Sequence, residues 1–151
     1  MELFAQSVLQ EIKAVNTELR KAIEGLTPEA LNWKPTAADT NSLFVLGTHM
    51  VGVQRFMVAL AANKTVQRDR AAEFLATGND ARSLLEALGQ AEKEIEAWLD
   101  SLTPATFAEP RTYLNRQISA ARCLAIALRH LGEHLGHAGL TRQLWEQARS
   151  S

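Results

Sequence analysis

Histidine is the residue type whose spacing in this chain points most clearly to chemistry. The chain has four: His49 stands alone, and His130, His134 and His137 follow at positions i, i+4 and i+7. On an α-helix, at about 100° per residue, the last three share an arc of about 60°. Three imidazoles on one stripe, with a fourth on another amphipathic segment, predict a metal site inside a helical bundle.

Each histidine can be given a role in such a site. His130 and His134, four residues apart, would form a helical clamp that points two imidazole nitrogens into one volume. His49 would supply a third nitrogen from across the bundle, and three protein ligands leave positions open for water or a substrate. The alternative is that each histidine is a core or boundary residue with a satisfied hydrogen bond.

His137 completes the stripe, but the spacing does not require it as a ligand. It could orient a ligand, carry a proton, or stand as a polar residue at the rim of a pocket. The rim is the simplest interpretation, and proton transfer is the catalytic role for which His137 is the candidate.

Four amphipathic segments must position these histidines. Apolar residues recur at helical spacing over about 2–24, 41–62, 80–101 and 119–149. Thr27-Pro28 and Thr103-Pro104 are each typical of a short capped turn. Residues 107–117 have no helical period, and nothing in the chain predicts a strand. The pattern predicts an all-α four-helix bundle, with a connection between the second and third helices long enough to cross it.

Composition predicts the number of domains and argues against some classes of function. The 151 residues, 46% hydrophobic and 22% charged with a net charge of −1, predict one domain spanning residues 1–151. The absence of a basic cluster argues against nucleic-acid binding. The single Cys123, predicted as a small buried side chain, fits a reducing compartment. Without a signal-like N-terminus or an apolar run of about 18 residues, we expect a cytoplasmic protein that does not enter a membrane.

Other residues near the histidines allow two interpretations. Five glycines indicate either close helix approach with room for a ligand, or looser packing. Gln54 and Glu133 could orient ligands, although Glu133 lies on a helix flank that favours solvent. The tryptophans, Trp33, Trp98 and Trp145, are predicted to be packing anchors. The five glycines are Gly47, Gly52, Gly132, Gly136 and Gly139.

Three motifs carry a resemblance to a known family. The first motif is Leu31-Asn32-Trp33-Lys34-Pro35. The second is Ser42-Leu43, with His49 seven residues after the serine. The third is the segment from His130 to Arg142. Together they resemble the DinB-like superfamily, in particular the branch of the mycothiol-dependent enzymes. Gln54 departs from that branch, in which Glu is common at this position.

The resemblance implies an up-down-down-up four-helix bundle that often forms homodimers. It implies a divalent transition metal, usually zinc or nickel, held by His49, His130 and His134. Ligand chemistry alone does not separate zinc, nickel, copper and iron for three nitrogens.

Two functions from different classes follow. The first is a metal-dependent enzyme, a thiol S-transferase or a hydrolase, in which the metal activates a thiol or water against a small-molecule or thiol substrate. The second is a non-catalytic, stress-associated bundle or dimerisation module, in which the metal is structural or the site vestigial.

Overall fold

Four long helices dominate the computed structural model, which describes residues 1–150. The predicted all-α class is confirmed, and the predicted segments agree with the helices to within a few residues. The long helices are α1 (Leu3–Ile23), α3 (Leu43–Ala61), α5 (Arg82–Asp100) and α7 (Ala120–Ser150). Three short helices lie in the connections: α2 (Pro28–Asn32), α4 (Arg70–Glu73) and α6 (Pro104–Ala108).

Helix starts follow local chemistry. The Ser42 side chain accepts a hydrogen bond from the backbone N–H of Val45 and so caps α3. Thr27 and Thr103 cap α2 and α6 in the same way, each with proline at the first helical position. The capped turns read from the sequence are therefore present.

Ion pairs between helices establish the direction of α5. Lys13 pairs with Glu96 (2.9 Å) and Arg20 with Glu92 (2.9 Å), so α1 and α5 are antiparallel. Since residue numbers rise along α1 while they fall along α5, the start of α1 lies at the end of α5.

The α3 helix runs parallel to α5. Near its start, Gly47 faces Leu84, and a Cβ on this glycine would lie 2.6 Å from a Leu84 methyl carbon. Near its end, Arg55 pairs with Glu94 (2.7 Å). Residue numbers therefore rise together along the two helices, and residues 62–81 must return along the bundle as the predicted crossover.

The direction of α7 follows from its contacts with α3. On α3, His49 meets His130, whereas Leu46 shares a cavity with Leu140, so α3 and α7 are antiparallel. The four long helices therefore run up, down, down and up, as expected from the family resemblance.

The α3 helix lies at the centre of the core and packs against the other three long helices. By length and composition it could cross a membrane, but most of it is buried inside the bundle, which is the environment of a core helix in a globular domain. Its largest fully buried side chains are Leu43, Met50 and Met57. Its position in the bundle therefore explains its apolar sequence.

A β-hairpin between α6 and α7 corrects the expectation of no strand. Strands β1 (Pro110–Tyr113) and β2 (Arg116–Ser119) pair antiparallel, with Arg111 opposite Ile118. Leu114 and Asn115 form the turn, both at positive φ (48° and 60°), as a tight two-residue hairpin turn requires. The two four-residue strands were missed because they are too short to show a clear period.

Strand β1 places the buried Arg111 against the end of α3. The Arg111 guanidinium is 7% exposed and donates hydrogen bonds to the backbone oxygens of Leu60 (3.0 Å) and Ala61 (3.0 Å). Both carbonyls belong to the last turn of the helix. That of Leu60 also accepts a hydrogen bond from the backbone N–H of Asn63 (3.1 Å), whereas that of Ala61 accepts two from the Arg111 guanidinium (3.0 and 3.1 Å). Arg111 therefore stabilises the end of the helix that carries His49.

We predict that Arg111→Ala lowers the free energy of unfolding by about 1–3 kcal/mol, because the Ala61 carbonyl at the end of α3 loses the two hydrogen bonds from the guanidinium. Arg116→Ala, on the exposed face of the partner strand, is the matched control and should change it by less than about 0.5 kcal/mol. Urea denaturation measures both variants. Equal stability of the two would contradict this role for Arg111.

Candidate metal centre

Three of the four histidines meet in the bundle. His49 comes from the middle of α3 and is 2% exposed, while His130 and His134 come from successive turns of α7 and are half-buried. Nε2 of His130 lies 3.0 Å from Nε2 of His49 and 3.1 Å from Nε2 of His134. The three potential ligand atoms lie within 4.8 Å of one another, so the residues predicted to share a metal are brought together.

The crossover segment, residues 62–81, contacts His49 at Nδ1. Its Glu73 carboxylate accepts a hydrogen bond from Nδ1 of His49 (2.8 Å). Arg68 donates two hydrogen bonds to the same carboxylate, from Nε to Oε1 (2.7 Å) and from Nη2 to Oε2 (2.8 Å). This bidentate arrangement fixes both the position and the orientation of the carboxylate.

The protonation state of Glu73 determines the tautomer of His49. Burial alone would raise the pKa of Glu73, but hydrogen bonds from Arg68 and His49 lower it below the usual value. The ionised carboxylate can only accept a hydrogen bond, so Nδ1 of His49 carries the proton. Nε2 of His49 is left with its lone pair directed at the other two imidazoles.

A glycine provides the space for this contact. A Cβ on Gly52 would lie 1.9 Å from Oε1 of Glu73 and 3.2 Å from Nε of Arg68. Gly52 is on α3, three residues after His49 and so on the same side of the helix. The absence of a side chain at this position lets the crossover approach His49. Gly132, Gly136 and Gly139, by contrast, face open space.

The three imidazoles are poor bases in this environment. Burial lowers the pKa of His49, with the Glu73 hydrogen bond opposing it, and burial together with the neighbouring His49 lowers the pKa of His130. Burial and the neighbouring His130 lower the pKa of His134 to about 4. At neutral pH all three rings are therefore uncharged, which is the state that binds a metal.

The donor set fits a transition-metal ion. Each Nε2 can donate one proton at most, and Nε2 of His49 has none, so mutual hydrogen bonds cannot saturate the cluster. Nitrogens at about 2.0–2.1 Å from one tetrahedral ion would be about 3.3 Å apart, close to the two contacts observed here.

His137 lies outside the three-imidazole cluster. It is exposed, its ring centroid is 5.6 Å from that of His134, and it lines a neighbouring cavity. This is the position at a pocket rim that the spacing allowed.

The remaining candidates do not contact the cluster. Gln54 is buried and hydrogen-bonds to Asn16 of α1 (3.0 Å), while Glu133 is exposed and pairs with Arg129. Cys123 is fully buried, and burial raises the pKa of its thiol, which opposes a thiolate role.

The tryptophans act in packing. The rings of Trp33 and Trp145 are in contact, with centroids 5.7 Å apart, and Trp98 packs against the core. Sequence reasoning missed Glu73 and Arg68, because the only signal was a polar segment of the right length to cross the bundle.

Comparison with known proteins identifies relatives of this arrangement. A sequence profile described as the DinB superfamily matches residues 11–138. No curated protein matches the sequence significantly. Among solved structures, a conserved protein from Enterococcus faecalis is similar over 95% of this chain and 97% of its own, with a TM-score of 0.79 and 14% identity.

Two structures from Bacillus subtilis are similar as well. The DinB-like protein YjoA aligns over 96% of this chain and 92% of its own, with a TM-score of 0.70 and 18% identity. YfiT aligns over 94% and 87%, with a TM-score of 0.76 and 16% identity, and is described as a probable metal-dependent hydrolase with an unusual four-helix bundle topology. At these identities the likeness shows a shared fold.

We predict that Gly52→Ala lowers the free energy of unfolding by about 2–4 kcal/mol, because the new methyl group displaces Glu73 and leaves buried polar groups unpaired. Gly89→Ala on α5 is the matched control: its Cβ meets nothing within 4 Å, and it should stabilise by up to about 1 kcal/mol. Urea midpoints measure both. A Gly52→Ala protein as stable as the control would contradict the packing described here.

We predict that the metal-chelated protein loses stability as the pH falls from about 6.5 to about 4. In this window the unfolded chain binds a proton at His134 and the folded chain does not, so the free energy of unfolding rises with pH. His134→Gln should reduce the difference between pH 7.5 and pH 4.5 by at most about 3 kcal/mol. Urea denaturation in EDTA measures it, and an unchanged pH dependence in the variant would contradict the prediction.

Proposed function

The chain belongs to the DinB superfamily, and from this membership we propose that it is a metal-dependent enzyme of the hydrolase type. The observation that carries the proposal is the convergence of Nε2 atoms from His49, His130 and His134. A relative of the same fold, YfiT, is described as a probable metal-dependent hydrolase, which supports the same class for this chain.

In this proposal the three imidazoles hold one divalent transition ion, with zinc or nickel as the expected occupant. The bound ion supplies Lewis-acid activation of a nucleophile, which is water in a hydrolase and a thiol in an S-transferase. Three protein ligands leave coordination positions free for that chemistry. Glu73 and Arg68 keep the His49 ring in its orientation, so the ligand set does not have to rearrange on binding.

His137 is the proposed proton carrier. Its ring is exposed and stands 5.6 Å from the His134 ring, so a ring nitrogen of His137 can reach a group at the centre through one water. In this role it takes the proton released by the nucleophile and returns it to the leaving group. No other histidine of the described residues is left for the task.

A structural metal is the second candidate, and the position of the ligands favours it. His49 is on α3, and His130 and His134 are on α7, so an ion would cross-link two core helices. In that case the metal would raise the melting temperature without supporting any turnover.

We predict that the purified protein binds one equivalent of Zn²⁺ or Ni²⁺. His49→Ala, His130→Ala and His134→Ala should each weaken binding at least tenfold, since each removes a ligand. His137→Ala is the matched control and should retain the metal. Calorimetric titration with elemental analysis measures the binding, and a wild-type protein that takes up no stoichiometric metal would contradict the proposal.

Activity separates the enzymatic from the structural candidate. Hydrolysis of p-nitrophenyl esters tests the hydrolase type, and conjugation of 1-chloro-2,4-dinitrobenzene with cysteine tests thiol transfer. We expect metal-dependent ester hydrolysis that His137→Ala reduces by about 10²-fold or more, the usual contribution of general acid–base catalysis. Loss of metal that lowers only the melting temperature would instead support the structural role.

A further inference from the structure

A cavity of about 320 Å³ lies at one end of the bundle, beside the metal centre. It is formed by the first turn of α3, the second half of α7 and the loop at 35–41. Leu46 stands three residues before His49, and His137 stands three residues after His134. Since α3 and α7 are antiparallel, both displacements lead to the same end of the bundle, and the cavity therefore adjoins the three imidazoles.

Its walls are mostly apolar. Leu46, Leu140 and Leu144 line it, and Leu140 is 54% exposed, which is high for a large apolar side chain. Binding sites for small molecules typically combine such apolar walls with a few polar groups that fix orientation.

The cavity lining contains two ionisable side chains, Asp39 and His137. Within residues 1–150, Asp39 is the only acidic residue in the lining, and no lysine or arginine lines it. Asp39 forms no ion pair with any described residue, so its carboxylate is available to a ligand.

The backbone beneath this carboxylate is held in an uncommon conformation. Asp39 has φ of 60°, in the left-handed region that non-glycine residues seldom adopt. The Thr40 hydroxyl braces the loop, lying 2.8 Å from the carbonyl oxygen of Pro35 and 2.9 Å from that of Ala37. Aspartate tolerates this region better than most residues, and the contacts of Thr40 hold the loop that carries it.

We propose that this cavity is the substrate pocket of the enzyme and that it selects small amines: molecules with an apolar body and an ammonium group placed against Asp39. The proposal rests on the proposed metal-dependent function. The apolar body lies against Leu46, Leu140 and Leu144, and the adjoining His137 connects the pocket to the metal centre. Carboxylates and phosphates are disfavoured because Asp39 repels them and no lysine or arginine lines the pocket.

Three probes of similar shape and different charge test the pocket: benzylammonium, benzyl alcohol and benzoate. They are titrated into the ¹⁵N-labelled, metal-chelated protein, so that none of them can bind through a metal. We expect shifts in the amides of residues 35–46 and 137–144, with affinity in the order benzylammonium, benzyl alcohol, benzoate. For an exposed carboxylate, each step should be about two- to fivefold.

Variants assign the preference to the lining residues. Asp39→Asn should remove the advantage of benzylammonium over benzyl alcohol, and Leu140→Lys should reverse the order in favour of benzoate. Glu11→Gln, which removes an exposed charge on α1, is the matched control and should leave the order unchanged. Tightest binding of benzoate to the wild type, or shifts confined to other regions, would overturn the proposal.

The failure of this inference can be distinguished from failure of the proposed function. If the wild type binds zinc but the probes cause no shifts at the cavity, the assignment of the cavity as the substrate pocket is overturned. The proposed metal-binding site is then unaffected. Probe binding by a protein that binds no zinc would overturn the proposed function, and with it the role of the cavity in selecting a substrate.

Discussion

The hydrogen bond from Nδ1 of His49 to the Glu73 carboxylate is the interaction on which the rest of the site depends. It fixes the tautomer of His49 and so directs the Nε2 lone pair at His130 and His134. Without it, a buried imidazole could place its proton on either nitrogen. The contact exists because Arg68 neutralises and orients the carboxylate and because Gly52 leaves space for it.

The topology of the bundle brings these groups together. Since α3 and α5 are parallel, the chain must travel the length of the bundle between them, and the returning segment passes over the buried face of α3. A simple up-and-down bundle would join neighbouring helices by short loops and would have no such segment. The crossover therefore contributes two side chains to the centre as well as connecting two helices.

Much of the arrangement could be predicted from the sequence, because the relevant patterns are local. The helical period located the four long helices, and the spacing of His130 and His134 predicted two imidazoles on one face of α7. Glu73 and Arg68 could not be predicted, because their role depends on where an irregular polar segment lies in three dimensions. The sequence singled out Gly52 among the glycines near the histidines, but it did not show that the group approaching it is Glu73, 21 positions further along the chain.

The central claim is that three imidazoles of this chain share one cation. X-ray absorption spectroscopy at the zinc K-edge of the zinc-loaded protein tests it most directly, because it counts the ligand atoms and measures their distances. The account predicts a single zinc environment with three imidazole nitrogens at about 2.0–2.1 Å, completed by a light solvent atom. A sulfur ligand at about 2.3 Å, or fewer than three imidazoles around the ion, would contradict it.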